Sequence, residues 1–252
     1  MQKTVFITGA TSGIGKACAE KFAANGCNLV INGRRTDRLE IMQDQLVKQY
    51  NIKVWTAAFD VQDRSAVFSI VESLAADVPV IDVLINNAGL ALGRANFENA
   101  DINDWDTMIG TNISGLLYTS RAVLRMMQKA KDPLIINLGS IAGKEVYENG
   151  NVYCATKFAV DAISKSMRID LLKKGIRVTA IHPGAVETEF SLVRFKGDEK
   201  LAAAAYKGYQ PLTAEDVADN IFYCATLPTH VCINELVVTC RQQANVNYFE
   251  KK

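Results

Sequence analysis

Thr4-Val5-Phe6-Ile7-Thr8-Gly9-Ala10-Thr11-Ser12-Gly13-Ile14-Gly15 reads as a short apolar strand that enters a glycine-rich turn and leaves it as a helix. Glycines at Gly9, Gly13 and Gly15 permit the tight turn and a close backbone approach by a ligand. The helix opening at Ile14 turns its positive end towards the same place, where a pyrophosphate can rest. On its own the segment is equally a tight strand-to-helix connection. Its position gives it weight, because it is the first junction of a pattern that repeats down the chain.

Short runs rich in Val, Ile and Leu recur between amphipathic stretches of helix length, the pattern of strands buried on both faces of a parallel sheet. The strands are expected at Thr4–Thr8, Asn28–Asn32, Lys53–Ala58, Val80–Asn86, Leu134–Gly139, Arg177–Ile181 and Glu235–Val238. Helices are expected at Ile14–Asn25, Arg38–Gln49, Arg64–Ala75, Asp104–Lys129, Val152–Lys174 and Ala214–Ala225. Seven strands alternating with helices predict an α/β fold: a Rossmann-type, doubly wound, parallel seven-stranded sheet with helices on both faces. No repeat or proline-rich linker divides residues 1–252, so a single domain is expected. The segment 187–210 is polar, alanine-rich and weakly patterned, and is the expected substrate lid.

The chain has 252 residues, 49% hydrophobic and 22% charged, with a net charge of +1. That mixed balance lacks the basic face a nucleic-acid partner needs, and no run is long and apolar enough to span a membrane. The six cysteines, Cys18, Cys27, Cys154, Cys224, Cys232 and Cys240, show no metal-ligand spacing, so no metal is expected. They read as reduced thiols of a cytoplasmic protein, since Met1-Gln2-Lys3 runs directly into a strand without a signal peptide.

At the end of the second strand an NAD-binding chain carries an acid for the ribose hydroxyls. Here the residues are Gly33-Arg34-Arg35. Two guanidinium groups suit the additional 2′-phosphate of NADP, which an arginine binds through paired hydrogen bonds. Asp60-Val61 ends the third strand, within reach of an adenine, and Asn86-Asn87-Ala88-Gly89 ends the fourth beside the same ligand.

Ser140 follows the fifth apolar run, and Tyr153 and Lys157 stand four residues apart where a helix begins. Residues at that spacing share a helix face, and a cation near a phenol favours the phenolate. A hydroxyl at Ser140 supplies the hydrogen bond a developing alkoxide needs. Together they imply proton transfer at a carbonyl or alcohol carbon. The spacing alone does not decide this, because Tyr248 and Lys252 repeat it in the tail. His182 and His230, the only histidines, have no partner suggesting a triad; His182 reads as structural at a strand end. Cys154, Trp55 and Trp105 read as packing residues.

With these motifs in this order, nearly the whole chain resembles the classical short-chain dehydrogenase/reductase family. The resemblance implies a catalytic tetrad of Asn112, Ser140, Tyr153 and Lys157, with Asn112 holding a water that links Lys157 to solvent and Lys157 bonding the nicotinamide ribose. It implies cofactor contacts from Gly9, Thr11, Ser12, Gly13, Ile14, Gly15, Arg34, Arg35, Asp60, Val61, Asn87, Ala88, Gly89, Tyr153 and Lys157. Pro183, Gly184, Val186 and Thr188 match the segment that seats the nicotinamide carboxamide.

The stretches Leu90–Gly93, Gly150–Tyr153, Thr188–Ser191 and Val193–Asp198 look like those of the NADP-dependent 3-hydroxy acid dehydrogenase subgroup, which acts on serine, allo-threonine and related short acids. Arg194 and Lys196, in the lid, are the candidate partners of a substrate carboxylate, with Ser140 and Tyr147 as further substrate contacts. A carbonyl or 3-oxoacyl thioester reductase, or a non-catalytic NADPH-binding regulator, is the alternative. The Lys144-Glu145-Val146-Tyr147-Glu148 loop is more charged than the family pattern leads one to expect. The family also implies a homotetramer.

Overall fold

Apolar strands alternate with helices that bury one face each, and the chain satisfies both demands with a central sheet covered on its two sides. The computed structural model describes residues 2–252. Its strands are β1 (Thr4–Ile7), β2 (Asn28–Gly33), β3 (Val54–Ala58), β4 (Val83–Asn86), β5 (Leu134–Leu138), β6 (Arg177–Pro183) and β7 (Glu235–Val238). They form one seven-stranded sheet in the order β3-β2-β1-β4-β5-β6-β7, with every pairing parallel. The order reverses at β1, and β1 and β4 diverge in connectivity at that point. The crevice at their carboxyl ends is where such sheets bind ligands.

The helices are α1 (Gly13–Ala24), α2 (Thr36–Tyr50), α3 (Arg64–Leu74), α4 (Ile102–Ile109), α5 (Leu116–Met127), α6 (Asn151–Leu171), α7 (Glu189–Arg194), α8 (Glu199–Ala204) and α9 (Ala214–Thr226). Alternate residues along each strand feed two cores. Val5, Ile7, Leu29, Ile31, Ile85 and Ile136 pack on one face with Phe22 of α1, Leu39 of α2 and Ile221 of α9. Phe6, Val30, Leu84, Ile135 and Val178 pack on the other with Val67 of α3 and Val123 and Met127 of α5. A polar rung crosses the second layer: Asn86 donates to Ser120 Oγ at 2.8 Å and Asn137 Oδ1 at 2.9 Å, and Asn137 donates to Ser164 Oγ at 2.9 Å. Asn86 therefore ties β4 and β5 to α5 and α6.

Two elements differ from expectation. The single helix expected over Asp104–Lys129 is α4 and α5 joined through a π-helical turn at Gly110–Gly115, the segment that carries Asn112. Such turns hold a helical course while shifting its hydrogen bonds by one residue. The weakly patterned 187–210 holds the two short helices α7 and α8. Side chains at their first turns fix them: Thr188 accepts from Phe190 N at 3.2 Å, and Asp198 accepts from Leu201 N at 3.0 Å.

Candidate active site

The carboxyl ends of the strands open into a cleft of about 850 Å³, a volume within the range of ligand pockets. At one end lies the turn between β1 and α1. Gly13 has φ +50°, which a side chain rarely adopts, and a Cβ at Gly15 would stand 2.2 Å from Gly9 O and 2.5 Å from Asn87 Nδ2. The backbone is therefore drawn in too tightly for any side chain, leaving a shallow cradle at the helix start. Asn87 holds the cradle from β4 by donating to Thr8 O at 2.9 Å and Gly9 O at 3.1 Å. Thr8 Oγ1 accepts from Asn87 N and Ala88 N.

Gly9, Thr11, Ser12, Gly13, Ile14, Arg34, Arg35, Asp60, Val61, Asn87, Ala88, Gly89, Pro183, Gly184, Val186 and Thr188 all line the cleft; Gly15 lies just behind it. Arg35 Nη2 donates to Thr11 Oγ1 at 3.1 Å, and Arg34 Nη1 stands 3.6 Å from Asp60. Both guanidinium groups are exposed at the mouth. A glycine-lined phosphate cradle with two arginines at the neighbouring strand end fits a dinucleotide bearing an additional phosphate.

At the other end, Ser140 follows β5 and caps the short turn Ile141–Gly143 by accepting from Ala142 N at 3.1 Å. Tyr153 and Lys157 occupy one stripe of α6, both buried. Lys157 Nζ donates to Leu138 O at 2.9 Å and lies 5.9 Å from the Tyr153 ring centroid. Burial lowers the Lys157 ammonium to a pKa of about 8. Burial also raises the Tyr153 phenol above its ordinary value, and neighbouring Tyr147 adds to this; a hydrogen bond from Ser140 and the charge of Arg194 pull the other way and lose. The expectation that Lys157 lowers the phenol is not met: burial dominates, and both groups are driven towards their neutral forms.

Asn112 reaches the site from the π turn. Its Oδ1 accepts from Leu90 N at 2.9 Å, and its Nδ2 donates to Leu90 O at 2.8 Å and Thr156 Oγ1 at 3.0 Å. The side chain therefore clamps the segment after β4 to α6, and this clamp is what the structure gives for the expected relay residue.

The two lid cations separate. Arg194 lines the cleft, its guanidinium carbon 5.4 Å from the Tyr147 ring and 5.6 Å from the Tyr153 ring, with a buried Nε that has no partner among the described residues. Lys196, just beyond the end of α7 at φ +52°, turns away and pairs with Asp104 at 2.9 Å. Asp104 also raises its ammonium pKa. It does not line the cleft, which corrects its expected role as a substrate contact.

Sequence reasoning missed three contributors. Arg94 lines the cleft with its guanidinium carbon 6.0 Å from the Tyr147 ring; its only signal is its place next to the Leu90–Gly93 stretch. Phe190 packs on Tyr153 with ring centroids 5.8 Å apart. The tail folds back on its own chain, pairing Gln243 with Phe249 and bringing Val246, Asn247, Phe249 and Lys251 to the cleft.

The described helices include none long and apolar enough to cross a membrane. The family profile described as short chain dehydrogenase matches residues 3–198. A sulfoacetaldehyde reductase of Chromohalobacter salexigens is 45% identical over 245 residues, covering 97% of this chain and 96% of the relative. The NADP-dependent 3-hydroxy acid dehydrogenase YdfG of Escherichia coli K12 is 44% identical over 233 residues, 92% of each. Among solved structures, the closed form of serine dehydrogenase complexed with NADP+ superposes with a TM-score of 0.92 at 42% identity, covering 99% of both chains. With Ser140, Tyr153 and Lys157 gathered beside a glycine-lined dinucleotide cradle, the chain belongs to the short chain dehydrogenase family and is an oxidoreductase acting on a CH–OH group.

Proposed function

We propose that this chain is an NADP-dependent oxidoreductase that interconverts a short 3-hydroxy acid and its semialdehyde or keto form. The observation that carries the substrate class is Arg194. Its guanidinium makes no ion pair among the described residues and stands 5.6 Å from the Tyr153 ring with its Nε buried. A buried donor left without an acceptor is costly, and an anionic group on the substrate supplies the acceptor. An anion there lies a few bonds from the phenol, which limits the substrate to a short chain. The sulfonate of a short hydroxysulfonate has the same charge and is a second substrate of this class, in keeping with the relative named a sulfoacetaldehyde reductase.

Bound NADP supplies the hydride acceptor or donor at its nicotinamide. The glycine turn, Asn87–Gly89, Arg34 and Arg35, Asp60–Val61 and Pro183–Thr188 are the residues that would hold it, with Lys157 beside the ribose. Ser140 holds the reacting oxygen of the substrate by hydrogen bond. Tyr153 gives that oxygen its proton in reduction and removes it in oxidation. Arg194 orients the acid group, and Phe190, against the Tyr153 ring, helps to keep water from the reacting oxygen.

Arg194→Leu tests the substrate reading. Removing one charge-assisted hydrogen bond at a buried group costs about 2 kcal/mol, or roughly thirtyfold. KM for a short hydroxy acid is expected to rise by about that factor, with KM for NADP unchanged. An unchanged KM for the acid would reject Arg194 as its partner. Arg35→Ser tests the cofactor reading by the same arithmetic: KM for NADP rises roughly ten- to hundredfold while KM for NAD barely moves. Equal losses for both cofactors would remove Arg35 from the recognition of the 2′-phosphate.

A further inference from the structure

The charged loop after Ser140 leads to a cluster outside the cleft. His182, on β6, is fully buried, and its ring lies so close to the backbone that a Cβ at Gly139 would stand 2.4 Å from Nδ1. Nδ1 is 3.2 Å from Ser140 O. On the far side of the ring, Nε2 has no hydrogen-bond partner among the described residues and faces Asp161 Oδ1 at 3.7 Å and Glu235 Oε1 at 3.8 Å. Lys144, four residues after Ser140, places its ammonium 2.9 Å from Asp161 Oδ1 and in contact with Glu235. Lys165 pairs with the other oxygen of Asp161 at 2.7 Å. The three oxygen and nitrogen atoms of Asp161, His182 and Glu235 lie within 4.8 Å of one another, as metal ligands do. Here a lysine ammonium supplies the positive charge.

Four parts of the fold meet in this cluster: the turn after β5 through Lys144, α6 through Asp161 and Lys165, β6 through His182, and β7 through Glu235. Asp161 is one helical turn beyond Lys157, as Lys157 is beyond Tyr153, so it continues the catalytic stripe of α6. The ring is held neutral, chiefly by burial and next by the charge of Lys144, which oppose the two carboxylates. A neutral imidazole has one N–H. Since Ser140 O accepts only, the N–H belongs on Nδ1, and Nε2 is a lone pair. Two carboxylates would repel that lone pair, and the ammonium among them removes the conflict.

We propose that Lys144, Asp161, Glu235 and His182 form a positioning brace for Ser140, in which the Lys144 ammonium keeps His182 in the tautomer that donates to the Ser140 carbonyl. The brace fixes the Ser140 turn against the same helix that carries Tyr153 and Lys157. It rests on the reading that Ser140 holds the substrate oxygen. His182, Lys144 and the two acids touch no reacting atom and act through Ser140.

The test is imidazole ¹⁵N NMR of the full chain with NADP bound, joined to steady-state kinetics. Only His182 and His230 contribute signals, and His230 is exposed. In the unmodified protein His182 is expected to be neutral at pH 7 and protonated at Nδ1. In Lys144→Met the two carboxylates are left facing Nε2 and draw the proton there, so the neutral ring no longer donates to Ser140 O. In that variant kcat falls roughly ten- to hundredfold where the ring is neutral, the scale of a misplaced reacting group, while KM for NADP is unchanged, and kcat recovers as pH falls and a second proton restores the Nδ1–H donor. Lys144→Met combined with Glu235→Gln, which removes one charge of each sign, recovers much of the loss at pH 7. A His182 protonated at Nε2 in the unmodified protein overturns the proposal even if Lys144→Met does not fold. So does a Lys144→Met protein with unaltered kcat and pH profile. Ser140→Ala with ordinary turnover would instead refute the role of Ser140, which keeps the two failures apart.

Discussion

Tyr153→Phe is expected to lower kcat roughly 10³-fold in both directions, within the range that general acid–base catalysis supplies, while the Kd for NADPH stays within about twofold, since the lost hydroxyl is worth less than one hydrogen bond there. The phenol is buried, has Ser140 as a hydrogen-bonding neighbour and lines the cleft, and the cradle at Gly9–Gly15 is untouched by the change. The unmodified protein should also show a pH signature that the variant lacks. Burial raises Tyr153 and lowers Lys157 to about 8, so the first proton leaving the pair is lost near pH 8, from Lys157. Oxidation releases a proton, which a neutral Lys157 can take from the phenol as the phenol takes that of the substrate, and so rises with pH through about 8. Reduction needs the proton in place and declines over the same interval. Rates from acid to alkaline pH, with fluorescence titration of NADPH, check both parts. Ordinary turnover in Tyr153→Phe would end the assignment.

Gly15→Ala is expected to abolish NADP binding at millimolar concentrations and to destabilise the fold. The added methyl would sit 2.2 Å from Gly9 O and 2.5 Å from Asn87 Nδ2, and Asn87 is itself held by two hydrogen bonds. Neither neighbour is the free end of a flexible side chain, so the turn must open. Overpacking of this kind costs about 1–3 kcal/mol, and each kcal/mol lowers Tm by roughly 2–4 °C in a chain of this size. Gly26→Ala separates folding from binding. Gly26 has φ +76°, and a Cβ there meets nothing within 4 Å. The strain of its left-handed backbone should cost about 1 kcal/mol of stability and leave NADP affinity alone. Calorimetry and cofactor titration of both variants give the comparison. A Gly15→Ala protein with ordinary affinity for NADP would show that the cradle is not the phosphate site.

The inner strands were legible because each is a run of apolar residues buried on both faces, a pattern that survives without knowledge of neighbours; the edge strands β3 and β7 are only partly buried and were legible by their apolar runs alone. Tyr153 and Lys157 were legible through helix spacing. The decoy pair Tyr248 and Lys252 is set aside by structure, since the tail there is not helical and the spacing defines no common face. The π turn at Gly110–Gly115 was not legible: it alters which carbonyl accepts each N–H, while the apolar spacing of α4 and α5 runs on through it. The lid helices α7 and α8 are too short to show a period, and their only traces are the caps Thr188 and Asp198.

Arg194 and Lys196 stand two residues apart with the same charge, and the end of α7 between them sends one into the cleft and the other to Asp104. No sequence rule separates them, because the deciding contact is 92 residues away. The tail is similar. Phe249 stacks on Tyr209 with centroids 4.8 Å apart, and Lys252 N donates to Gly208 O, contacts that local pattern does not encode. The sign of the Tyr153 shift was also out of reach, since spacing identifies Lys157 as a neighbour but burial decides which effect is larger.

Initial rates of NADPH formation with purified protein test the central claim most directly, using L-serine, L-allo-threonine, 3-hydroxyisobutyrate, 2-hydroxyethanesulfonate, a 3-hydroxyacyl thioester and a neutral cyclic alcohol, with NADP and again with NAD. Turnover with NADP on the short anionic alcohols, and much weaker turnover with NAD or with the neutral alcohol, is the expected result. Turnover confined to the thioester or the cyclic alcohol, or a preference for NAD, would contradict it.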